Sequence, residues 1–198
     1  MIMHDKDIRE PLFDFLEETY GKVRIIEEKQ MGRSRADIVM VLPEALAGIE
    51  IKSDADTYAR LGRQVKDYDL YFDKNIVVAG SVHGMHIEEH VPEWWGIITV
   101  EWINGAADFY VLREAKENPK RRWKRKLSLL WRPELACIQE MNGMPKYKEK
   151  SKAFVIDKIL EMVPEEKLAE QVSDLLFERD YNEIEEIIRS FKRKRWMK

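Results

Sequence analysis

A single cysteine, Cys137, occurs in 198 residues, which excludes an internal disulfide and any cysteine-built zinc site. A reducing compartment is the expectation, with Cys137 filling core. No stretch of ~18 consecutive apolar residues occurs that would span a bilayer, and the opening "MIMHDKDIRE" lacks the apolar run of a signal peptide. The chain therefore reads as soluble and cytoplasmic, with no membrane partner. A glycine-rich phosphate loop of the P-loop type is missing, which argues against ATP-driven motion. A Gly-x-Ser-x-Gly nucleophile elbow is missing as well, and so are internal repeats and low-complexity tracts. Of the histidines in "HGMHIEEH", His86 and His90 are four apart and His83 is close by. Ile87 stands where the zincin motif requires Glu, so a surface helix near the sheet is the expectation.

Charge is plentiful but unevenly placed. The net value is −3, yet residues 1–114 carry roughly −9 and residues 115–198 roughly +6. Two basic clusters dominate the second part, "KRRWKRK" (Lys120–Lys126) and "FKRKRWMK" (Phe191–Lys198). An aromatic among cations suits a phosphate backbone and a stacked base or sugar. This makes Lys120, Arg121, Arg122, Trp123 and Lys124 candidate nucleic-acid contacts. The competing reading is a solvated linker and a solvated tail.

The length suits one sizeable core with a smaller addition, since single domains cluster near ~100–150 residues. Ile8, Leu12, Phe15 and Leu16 fall at helical spacing, with Asp7 and Glu10 in capping-box positions and Gly21 at the end. A helix starting near Asp7 puts Pro11 in its first turn. "KVRIIEE", "ADIVMVL" and "AGIEIK" read as three strands. "DADT" then offers an N-cap for a helix carrying Tyr58, Leu61, Val65 and Phe72, and "NIVVAG" resumes as a strand. The order is αβββαβ in an α/β fold with a mixed central sheet. "WWGIITVEW" and "DFYVLRE" add two strands joined at Asn104-Gly105, with Trp94 and Trp95 as packing residues. The expected organisation is a core over residues 1–113, a basic linker over 114–126 and a helical region over 127–198. That region has Trp131 as an anchor and helical apolar spacing from Phe154, from Leu168 and from Ile184 to Phe191. It offers a surface for an oligomer or a protein partner.

Three charges interrupt the apolar strands. Residues two apart on a strand share a face, so Glu50 and Lys52 project together while Ile49 and Ile51 face the other way. Asp37 opens the neighbouring strand. An unpaired buried carboxylate costs several kcal/mol (roughly,), and a divalent cation held by Asp37 and Glu50 would compensate. An oxygen donor set with neither Cys nor His suits Mg²⁺ or Mn²⁺. An ammonium beside it can orient an attacking water and stabilise negative charge on a phosphorane-like transition state. The bland alternative is an exposed Glu50–Lys52 ion pair.

A helix, three strands carrying Asp and then Glu-x-Lys, a helix and a strand resemble the core of the PD-(D/E)xK nuclease superfamily. "QVKDY", with Gln64 and Tyr68 one turn apart, looks like the Gln-x-x-x-Tyr motif of its recombination and exonuclease branches. "IEIKSDADTYARLGRQVKDYDLYFD" is similar to a family of small bacterial and phage proteins placed in that superfamily. The resemblance implies a restriction-endonuclease-like core and metal-dependent hydrolysis of phosphodiester bonds, with DNA as substrate and 5′-phosphate and 3′-hydroxyl ends. By the same resemblance Asp37 and Glu50 are metal ligands, Lys52 is the catalytic lysine, and Gln64 and Tyr68 position the substrate or brace the site. Ala36 stands where the superfamily's name implies proline. The first-helix acid of many members matches Glu10, or Glu28 on the first strand. Arg35, Arg60 and Arg63 flank these elements as phosphate contacts, and Asp54 and Asp56 read as loop and cap residues. Two other classes remain open: a catalytically silent DNA-binding module, and a protein-interaction partner in a phage or mobile-element system.

Overall fold

A computed structural model of the chain describes residues 3–80, 84 and 86–180. Helix α1 (Asp5–Tyr20) precedes strands β1 (Arg24–Met31), β2 (Ser34–Val41) and β3 (Leu46–Lys52). A 3-10 turn at Tyr58–Arg60 leads into α2 (Leu61–Tyr71), followed by β4 (Lys74–Gly80), β5 (Gly96–Ile103) and β6 (Ala106–Arg113). Four helices complete the described chain: α3 (Trp123–Ser128), α4 (Arg132–Met141), α5 (Lys152–Met162) and α6 (Glu165–Phe177). The αβββαβ order forms as expected. The six strands lie in sequence order, antiparallel from β1 to β3, parallel from β3 to β5, and antiparallel again at β6. Asn104 and Gly105 take φ of 52° and 88°, the left-handed pair a two-residue hairpin needs.

All seven residues of β3 are buried, because both faces of the sheet are covered. On one face Ile8, Leu12 and Leu16 of α1, spaced by four, pack on Ile38, Ile49, Val78 and Ile98. On the other, α2 and the later helices share a core with Val39, Leu46, Val77 and Ile97. Gly48 lets α2 sit close, since a Cβ there would run into the rings of Phe72 and Tyr68.

The structure corrects three expectations. α1 starts at Asp5, capped where the His4 N–H donates to Asp7 Oδ2 at 3.0 Å. Pro11 therefore sits inside the helix rather than in its first turn. Cys137 is exposed on α4 instead of filling core.

The third correction concerns residues 114–126, which are a strap and not a linker. The N–H groups of Lys116, Asn118 and Arg122 donate to the carbonyls of Trp94, Asp73 and Leu70. Lys126 is fully buried, its ammonium 2.6 Å from Asp73 Oδ2. Asp69 and Asp73 lie buried at the C-terminal end of α2 and need donors, which the strap supplies. A polar strap and a polar linker have the same composition, so only the tertiary partners separate them. The helices from α3 onward share this core, with Leu127, Leu135, Val155 and Leu168 wholly buried in it. Among the described residues no helix is long and apolar enough to cross a membrane. His83, the apolar spacing from Ile184 to Phe191 and the basic cluster Phe191–Lys198 lie outside the described residues.

Candidate active site

β2 and β3 pair from Val41↔Leu46 to Ile38↔Ile49, and there the ladder ends. One residue further along β2, a side chain replaces the missing backbone partner: Asp37 Oδ2 accepts the Ile51 N–H at 2.9 Å. The opening between the strands thus holds a carboxylate, and Glu50 projects from β3 into the same space.

Tyr68 of α2 enters from the covered side and is fully buried. Its hydroxyl accepts the Asp37 N–H at 3.2 Å and donates to Glu50 Oε2 at 2.7 Å, with the Ile49 carbonyl at 3.1 Å. One side chain therefore ties the backbone of one strand to the carboxylate of the next. Gln64, one turn earlier on the same helix face, donates from Nε2 to Glu50 Oε1. The Lys52 ammonium donates to Glu50 Oε1 at 2.7 Å and to Gln64 Oε1 at 3.1 Å. Glu50 is 1% and Lys52 5% exposed, so the exposed-pair reading fails. All five expected residues meet in one cluster, with Glu50, Lys52 and Tyr68 buried and Asp37 and Gln64 half-buried.

The cluster is short of positive charge. Lys52 serves Glu50, while Asp37 is pushed up to about 7, first by burial and then by the Glu50 carboxylate, against the opposing Ile51 N–H. The Tyr68 hydroxyl is held well above its ordinary range by burial and by Glu50 and Asp37, so it stays a neutral donor. Asp5 raises Asp37 further and Arg9 lowers it. These two residues escaped the sequence reading. Arg9 donates from Nε to Asp5 Oδ2 at 3.0 Å and from Nη1 to the Asp37 carbonyl at 3.2 Å and Glu27 Oε2 at 3.3 Å. The Asp5/Arg9 spacing of four was the available signal, hidden by starting the helix at Asp7.

Neither candidate for the first-helix acid joins the cluster. Glu10 is exposed, and Glu28 is exposed and pairs with Arg35 at 3.1 Å. Asp5, in the first turn of α1, is the acid whose charge reaches Asp37.

A divalent cation fits these residues. Two hard carboxylates, Asp37 and Glu50, lie together beside the Lys52 ammonium and with Arg9 near Asp37, and Mg²⁺ is commonly held by one or two carboxylates with water and substrate phosphate completing its shell. Among the described residues no group of three or more His, Cys, Asp or Glu is placed to hold a metal ion.

The expected nucleic-acid contacts divide. Arg35, Arg60, Arg63 and Arg122 are exposed, with Arg35 paired to Glu28. Lys120 pairs with Asp69 at 3.5 Å and lies over Trp94, and Arg121 pairs with Asp73 at 2.9 Å. Trp123 is half-buried with Arg121 and Lys126 over its ring. Arg121 and Trp123 are taken up by the fold, the guanidinium by Asp73 and the indole beneath Arg121 and Lys126, while Lys120 stays exposed beside Asp69. Lys124 pairs with Asp157 at 2.6 Å. His86 and His90 are exposed, the latter stacked on Tyr58.

A protein-family model described as Bacteriophage P4 protein cII matches residues 3–197. No curated protein and no solved structure matches the chain.

Proposed function

The chain belongs to the bacteriophage P4 protein cII family, and we propose that it acts in a phage or mobile-element setting as a metal-dependent nuclease of the PD-(D/E)xK type. Its substrate is DNA and its compartment the cytoplasm. The observation that carries the reading is the convergence of Asp37, Glu50, Lys52, Gln64 and Tyr68 where the β2–β3 ladder opens.

Asp37 and Glu50 would hold Mg²⁺ or Mn²⁺, which when bound supplies Lewis-acid stabilisation of charge on phosphoryl oxygens. Every other role belongs to the chain. The Lys52 ammonium, fixed by Glu50 Oε1 and Gln64 Oε1, stabilises negative charge that grows on the phosphoryl group. Gln64 uses both ends of its amide, donating to Glu50 and accepting from Lys52, so it sets their spacing. Tyr68 donates to Glu50 and leaves the other carboxylate oxygen to Lys52 and Gln64. Water attacks phosphorus in line, its oxygen stays on the phosphate, and the bond to the 3′ oxygen breaks as that oxygen gains a proton. The ends are 5′-phosphate and 3′-hydroxyl.

The test is a panel of labelled linear duplex, single-stranded and branched DNAs and RNAs, incubated with Mg²⁺, Mn²⁺ or EDTA. Cleavage of DNA with metal and none in EDTA is expected. Cleavage that persists in EDTA overturns the reading, and DNA binding without cleavage under any metal returns the chain to a catalytically silent DNA-binding module.

A further inference from the structure

Within Lys120–Lys126, the cations at 120, 121 and 126 are engaged by Asp69 and Asp73. Arg122, Lys124 and Arg125 remain at the surface of α3. With Lys152 of α5 they line a groove of about 640 Å³, together with Ser128, Ala153 and Ile156. Four cations and no carboxylate line this groove, and Lys152 is held at its edge by donating to the Ser128 carbonyl at 2.7 Å. Among the described residues Lys124 pairs with Asp157, and Glu134 acts on Lys152.

We infer that this groove seats the phosphodiester backbone of a nucleic acid, an inference that rests on the nuclease reading only for what the bound strand is used for. Ile156 is 3% exposed, so the apolar surface of the groove comes chiefly from Ala153 and the carbon stems of its four cations, and an amphipathic peptide is the rival occupant that the experiment must separate. Trp123 is half-buried beneath its own cations, so base stacking is not on offer. What remains is positive charge spread over two helices, the chemistry that neutralises phosphates without regard to sequence. α2 links groove and pocket: the Arg122 N–H donates to the Leu70 carbonyl near the end of the helix. Gln64 lies six residues earlier on that helix, ~9 Å along the axis at 1.5 Å per residue, close to three base-pair rises.

The experiment is fluorescence anisotropy of the full chain with labelled duplex and single-stranded DNA in EDTA, over a series of salt concentrations. Neutralising Arg122→Gln and Arg125→Gln together should weaken binding to all sequences alike. The slope of log affinity against log salt should become shallower by about 1.8 for duplex and about 1.4 for single strands, and by half that for either change alone. Lys167→Gln, an exposed cation on α6, should leave the slope as it was. A wild-type slope in the double variant and both single variants overturns the proposal, as does a glutamate-rich peptide that binds the groove more tightly than DNA. A shallower slope with no cleavage under any metal sinks the nuclease reading and leaves the groove standing.

Discussion

Two groups of carboxylates lie against α2, and the fold treats them differently. At the C-terminal end Asp69 Oδ1 accepts from the side chains of Asn75, Trp94 and Trp95 at 2.9–3.2 Å. Asp73 accepts the Leu46 N–H and faces both Lys126 and Arg121. Beside Gln64 and Tyr68, among the described residues, the Asp37 carboxylate accepts a hydrogen bond from the Ile51 N–H alone, with Arg9 as the nearby cation. The single Lys52 ammonium is shared between Glu50 and Gln64. Saturated carboxylates hold a fold together. An undersupplied one, held next to a second carboxylate, is a place where a further cation gains binding energy.

The sharpest way to break this contrast is at the saturated end. Asp73→Asn leaves Lys126 buried without its counter-charge and should cost ~3–5 kcal/mol of stability, read from urea unfolding. A cost below ~1 kcal/mol would erase the distinction.

Lys52→Ala in the other cluster should lower turnover by ~10²–10³-fold while DNA affinity holds, because the ammonium acts on charge that develops during the reaction. Single-turnover cleavage and anisotropy on the same preparation separate the two quantities. Unimpaired turnover would reject the mechanism.

Asp37→Asn should have the opposite sign from Asp73→Asn. With a native value of about 7 against ~4 in the unfolded chain, native Asp37 keeps its proton where the unfolded chain has lost it. Wild-type stability from this group therefore falls as pH rises from ~4 to ~7 and stays low above that. The asparagine variant lacks the loss, so metal-free melts should show it more stable than wild type at pH 8, by up to ~4 kcal/mol, and level with it at pH 4. Equal stability at both pH values would mean that Asp37 is already compensated.

The smallest expected effect is on metal affinity. Below pH 7 a proton on Asp37 competes with the metal, so calorimetric Mn²⁺ affinity should fall by about tenfold per pH unit and be flat above that pH. A pH-independent affinity from 5 to 8 would remove Asp37 from the ligand set.

Local periodicity made much of this molecule legible. The two-residue alternation in "GIEIK" sends Glu50 and Lys52 to the α2 face and Ile49 and Ile51 to the other, as the core clusters bear out for the isoleucines. The four-residue spacing of Gln64 and Tyr68 puts both on Glu50. Asp5 and Arg9 were missed because the helix start lies two residues earlier than the capping pattern suggested.

Order of strands, faces of strands and faces of helices follow from repeats of two and of three to four residues, and these are written in the chain itself. Whether a charge is buried, and by what it is met, is not. Lys126 and Asp73 are 53 residues apart and Tyr68 and Asp37 31 apart. A lysine in a basic run reads as solvated until a distant aspartate is seen to need it. The sequence by itself determined which residues share a face. Only the tertiary structure decided which carboxylates were saturated and which were left short, because compensation of a buried charge depends on partners that folding brings together across the chain.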